Sequence, residues 1–145
     1  MKKTFTLGSL LVLFTLLLAG CSRRAYWDGD DRDYWLSKEN GFVVYSDVYC
    51  PYLVVETYYG YTIIRHNGGL APYEGDEIFG DLSRSGYRQF YNYSDGTFFN
   101  GQVTDYWLTY SEAQYMIDNL CYTYYRGEAG SVQKKQIQQG LYKKR

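Results

Sequence analysis

Tyr52-Leu53-Val54-Val55-Glu56-Thr57-Tyr58-Tyr59-Gly60-Tyr61-Thr62-Ile63-Ile64-Arg65-His66 is dense in β-branched and aromatic residues, and it decides the fold class. Such side chains suit a pleated, half-buried surface. Period 2 places Tyr52, Val54, Glu56 and Tyr58 on one face of a strand. Gly60 interrupts the run and predicts a bend or bulge, where one long strand turns a barrel corner. Working outward, turn signals recur about every 8–12 residues, the spacing of a sandwich or barrel. They are Asn40-Gly41, Asn67-Gly68-Gly69, Ser85-Gly86, Asp95-Gly96 and Asn100-Gly101. Between them, strands are expected near 33–37, 42–47, 52–58, 61–66, 76–82, 87–93, 97–99 and 102–108. Asn40-Gly41 predicts a tight hairpin between Tyr34-Trp35-Leu36 and Phe42-Val43-Val44-Tyr45. The expected fold is mainly β: a small antiparallel β-barrel or bent sheet of six to eight strands, with one C-terminal helix.

That helix announces itself at Thr109-Tyr110-Ser111-Glu112, a capping box with Thr109 as N-cap and Glu112 reaching back. Ala113, Met116, Ile117, Leu120 and Tyr124 then recur at three and four residues and form an apolar stripe. Gly127 is expected to end it, and the Gln/Lys-rich remainder 131–145 reads as frayed or disordered. Asp33-Tyr34-Trp35-Leu36-Ser37 is echoed by Asp105-Tyr106-Trp107-Leu108-Thr109, a pattern that would mark two equivalent strands if it came from a duplication.

The chain has 145 residues, enough for one core and too few for two. Its 19 tyrosines, against 7 Phe and 3 Trp, suit sheet positions where a ring packs and a hydroxyl reaches water. All 16 acidic residues lie between Asp28 and Glu128, and the basic residues beyond are Lys134, Lys135, Lys143, Lys144 and Arg145. An acidic body repels polyphosphate, so no nucleic-acid partner is expected. The basic end reads as a short solvated tail.

Met1-Lys2-Lys3 is a positive n-region. Leu10 to Leu18 is an apolar run too short for a settled transmembrane span, and Leu18-Ala19-Gly20-Cys21 follows it. This tetrapeptide resembles the lipobox of bacterial lipoproteins. The resemblance implies removal of residues 1–20 and a diacylglyceryl group on the Cys21 thiol, which would hold the mature chain to a membrane. Ser22 lacks the Asp that resembles an inner-membrane retention signal, which favours the outer membrane of a Gram-negative envelope. The expected organisation is a signal peptide at 1–20, a lipidated tether at 21–32, a β-rich domain at 33–127 and a basic tail at 128–145.

With Cys21 lipidated, Cys50 and Cys121 remain, and in an exported protein they are expected to form a disulfide. The alternative is a Cys50 nucleophile with His66, the single histidine, as its base. Once the cysteines pair, the chain cannot supply the three or four donors of an N/S metal site, so no metal is expected. Asp76, Glu77 and Asp81 read as an alternating strand, apolar side in and polar side out. No phosphate loop, dinucleotide fingerprint, serine elbow or HExxH is present, so no cofactor or catalytic residue is assigned.

The remaining signal is aromatic. In Tyr87-Arg88-Gln89-Phe90-Tyr91-Asn92-Tyr93, period 2 puts Tyr87, Tyr91 and Tyr93 on one side, a candidate patch for an envelope protein or glycan. Tyr91-Asn92-Tyr93-Ser94-Asp95-Gly96 resembles part of the small lipoprotein inhibitors of lysozyme, which are disulfide-tied β-barrels. The residues thus point to a membrane-anchored, non-catalytic binding or structural module, with an inhibitor of a cell-wall hydrolase or a glycan-acting enzyme as alternatives. A flat aromatic patch favours the module, a protruding loop the inhibitor, and a deep pocket with two convergent carboxylates the enzyme.

Overall fold

The computed structural model describes residues 29–125 and 135–143. The signal segment, Cys21, most of the expected tether and the helix stop at Gly127 lie outside them. The chain divides into a first unit, Met1–Arg32, and a second, Asp33–Arg145, which holds the barrel.

The elements run α1 (Gly29–Leu36), β1 (Glu39–Asp47), β2 (Cys50–Thr57), β3 (Gly60–Gly69), β4 (Glu77–Gly80), β5 (Gly86–Asn92), β6 (Thr97–Leu108) and α2 (Tyr110–Tyr125). The strands close in the order β1-β2-β3-β6-β5-β4, every pair antiparallel. The fold is therefore a six-stranded antiparallel barrel with a C-terminal helix. Closure removes the free sheet edges that invite aggregation.

Two apolar layers result from the alternation of side chains. Inside the barrel lie Val43, Leu53, Val55, Ile64, Ile78, Leu82, Phe90, Phe99 and Val103, with Phe90 and Phe99 stacked at 5.1 Å. Outside, Val44, Tyr45, Val54, Tyr61 and Ile63 meet Ala113, Ile117 and Cys121 of α2. The capping box is formed: the Thr109 N–H donates to Glu112 Oε2 at 2.8 Å, and the Glu112 N–H donates to Thr109 Oγ1 at 3.3 Å. Those bonds from Thr109 hold the Glu112 carboxyl below its ordinary pKa.

Several expectations are corrected. Residues 29–36 are helical where a strand was expected at 33–37, and Trp35 on α1 packs 5.4 Å from Phe98 and 6.4 Å from Tyr91. The Asp33–Ser37 echo therefore marks no second strand, since its partner lies at the end of β6. Asn40-Gly41 is not a turn but the interior of β1, where a Cβ on Gly41 would come 2.5 Å from Val55. Packing rather than chain reversal requires that glycine. Gly60 does not bend a continuous strand: Tyr58-Tyr59 is a two-residue turn closed by the Thr57↔Gly60 pair, with Gly60 at φ 123°. Asn100-Gly101 lies within β6, which joins the two segments expected at 97–99 and 102–108. In β4 all four residues are buried, Glu77 included, so polar-out alternation fails there. Eight expected strands become six.

Residues 135–143 are not a solvated end. β4 pairs only with Glu39–Phe42 of β1, which leaves the second half of β1 uncovered on that side. The bulge between Val43 and Tyr45 turns out the Val44 carbonyl, and it accepts the Gln138 N–H at 3.0 Å. Ile137 is buried beside Ile117, and Lys135 pairs with Glu74 at 2.6 Å.

Candidate functional site

One end of the barrel collects the β2–β3 turn, the start of β1 and the finish of β6. Tyr58, Tyr59 and Trp107 are 56%, 61% and 59% exposed there. Tyr58 and Tyr59 meet edge to face at 5.0 Å, and Tyr59 stands 6.3 Å from Trp107. Trp107 owes its position to a bulge. Tyr61 pairs with Leu108 while Ile63 pairs with Asp105, so β6 carries one residue more than β3 between these points. Trp107 has φ 59°, the single non-glycine at positive φ among the described residues. Bulges commonly use glycine at a left-handed position, and a bulky side chain there costs about 1–2 kcal/mol. The strain is held by the strand pairing on either side and by the indole N–H, which donates to Ser83 Oγ at 3.0 Å. A bulge of this kind re-aims a side chain, and here it turns an indole outward beside two tyrosines.

A clasp at Glu56 extends the surface. Its carboxylate accepts the N–H groups of Gly140, Leu141 and Tyr142 at 3.1, 2.7 and 3.0 Å. Tyr142 is thereby set 6.4 Å from Tyr58 and 6.3 Å from Phe42. The Tyr61 hydroxyl donates to the same carboxylate at 3.1 Å. Burial, and then the Glu56 charge and hydrogen bond, push Tyr61 up to about 12. Near the start of β1, Asp81 is bracketed by Lys38 at 3.4 Å and Arg88 at 3.7 Å. The Lys38 ammonium is raised by its bond to Tyr34 and then by Asp81.

Cys50 and Cys121 are joined, which removes Cys50 as a free nucleophile for His66. Along β5 the expected alternation is present, with Phe90 and Asn92 buried and Tyr87 70% exposed. Tyr91 packs on Phe98 at 5.1 Å, and Tyr93 packs on buried Phe79 at 5.8 Å, so both rings already have partners within the barrel. Asn92-Tyr93-Ser94-Asp95-Gly96-Thr97 closes tightly, with the Asn92 amide donating to Asp76 and Asp95. It forms a turn rather than a protruding loop. Glu77 accepts from the Asn40 amide at 2.9 Å. Among the described residues, no group of three or more His, Cys, Asp or Glu is placed to hold a metal ion.

Sequence reasoning missed Tyr58, Tyr59 and Trp107 as a group. Tyr58-Tyr59-Gly60 did carry a signal, two rings before a turn glycine, but nothing local joins it to Trp107. No family model, curated protein or solved structure matches the chain.

Proposed function

We propose that this protein is a lipid-anchored lipoprotein of the bacterial envelope whose barrel binds glycan through Tyr58, Tyr59 and Trp107. The observation that carries the reading is Trp107 itself, an exposed indole kept in a conformation that favours glycine. Strain of this kind points to function when the surrounding structure enforces it. Sugar faces present C–H groups with slight positive charge, which suit the negative faces of indole and phenol rings. Tyrosine and tryptophan also give large rigid contact area at low side-chain entropy. The flat aromatic end supports a binding module over an enzyme, and the tight 93–96 turn weighs against an inhibitor that inserts a loop.

Two outcomes are expected. In detergent extracts, the full chain should co-sediment with purified peptidoglycan sacculi, and Trp107→Ala should weaken that capture at least about tenfold. The unfolding midpoint of the variant should hold or rise, because alanine carries a smaller left-handed penalty than a bulky ring. Equal capture by wild type and variant, or none by wild type, rejects the glycan surface. The anchor is tested apart: Cys21→Ser should carry no acyl mass and leave the membrane fraction. A wild-type protein without acyl mass, beside a variant that still sediments with membranes, rejects the lipoprotein reading.

A further inference from the structure

At the opposite end of the barrel, the β1–β2 turn and the end of β3 enclose a cavity of about 460 Å3. Its lining includes Tyr49, Cys50, Pro51, Leu53, Arg65 and His66. Leu53 also belongs to the barrel interior, so the cavity opens the mouth of the core to solvent. His66 lies over Phe99 with ring centres 6.1 Å apart. Its Nε2 is buried and has no hydrogen-bond partner, the single buried side-chain nitrogen or oxygen so left among the described residues. Buried polar atoms are nearly always satisfied, and an orphan at a cavity wall marks a place for a group the protein does not itself supply. The Arg65 guanidinium, exposed beside it, pairs with no carboxylate among the described residues. The one acid among the described lining residues, Asp47, is engaged with the chain: its Oδ1 accepts the Tyr49 N–H at 2.8 Å.

We propose that this mouth is a second binding site, for a small carboxylate whose apolar body lies against Tyr49 and Pro51. An unpaired guanidinium is matched by a carboxylate in both charge and planar geometry. An imidazole Nε2–H donates to the same group. The volume lies in the range of small-ligand sites, and an apolar wall with few polar groups is their ordinary make-up. Two sources offer this chemistry: a free organic acid and the C-terminal carboxylate of a peptide.

His66 is the single histidine of the chain, so its ring gives one unambiguous nuclear magnetic resonance signal. The labelled full chain is titrated with benzoate, with the tripeptide Ala-Ala-Phe, and with the same tripeptide amidated. Saturable movement of the imidazole signal with benzoate or the free tripeptide is expected, and the tighter of the two identifies the source. Arg65→Gln, at an exposed position that folding tolerates, should weaken binding at least about tenfold, and His66→Gln about fivefold. No saturation by 10 mM of either acid, equal binding of the amidated peptide, or an Arg65→Gln variant that binds as wild type would overturn the site and leave an ordered water as the partner of His66.

Discussion

Replacing Cys50 and Cys121 with alanine is expected to cost about 4 kcal/mol, since the bridge closes a span of 71 residues and removes that freedom from the unfolded chain. The bridge joins the first residue of β2 to the last buried turn of α2, and both cysteines are buried against Val54 and Ile117. The helix has no strand partner, so this bond and its apolar stripe are what hold it to the barrel. A loss of that size lowers the thermal midpoint by roughly 15 °C for a domain of this length. The check is chemical denaturation of wild type with and without reductant, beside the double variant. Reduced wild type and double variant should unfold together, with a steeper denaturant dependence because the open chain exposes more surface. If reduction leaves the midpoint within 2 °C, the barrel alone sets stability and the bridge contributes little.

The barrel was legible in the sequence because its evidence is local. Short β-rich runs with regular turn glycines specify strand-turn-strand, and the capping box at Thr109 fixed the start of α2 to the residue. The disulfide followed from compartment and count. Errors came wherever one local signal has two physical causes. Asn40-Gly41 looks like a turn, yet its glycine answers to Val55 on the neighbouring strand. Asp33-Tyr34-Trp35-Leu36-Ser37 and Asp105-Tyr106-Trp107-Leu108-Thr109 share a pattern and differ in structure. The first coils so that Trp35 reaches Phe98, while the second ends a strand paired with β3. Tertiary contact decides between them, and no window along the chain contains it. The same limit hid the aromatic end, because Tyr59 and Trp107 are neighbours only after the barrel closes. The segment 135–143 was hidden for a related reason: its composition reads as solvated, and its docking depends on a carboxylate at Glu56 that waits on the far side of the sequence.

Phe90→Ala is expected to cost about 3–5 kcal/mol, the range for emptying a fully buried phenylalanine site. The ring sits in the barrel interior against Phe99, and the walls nearest to it are backbone rather than side chain. A Cβ on Gly80 would come 2.5 Å from Phe90 Cδ1 and would meet no atom outside that ring within van der Waals range. Gly80→Ala alone should therefore cost about 1–3 kcal/mol, because a packed aromatic ring cannot yield that distance without leaving its rotamer. In the Phe90→Ala background the obstacle is gone, and the added methyl fills part of the void. Gly80→Ala should then be neutral or stabilising, so the two changes couple by more than 1 kcal/mol in a double-mutant cycle. Gly101 provides the contrast. Its Cβ would also strike Ile64 at 2.6 Å, so Gly101→Ala should remain costly whether or not Phe90 is present. Denaturation midpoints of the five variants decide it. Additive costs for Gly80 and Phe90 would mean that the glycine serves the strand's backbone and not the ring, and that the interior is packed more loosely than the geometry requires.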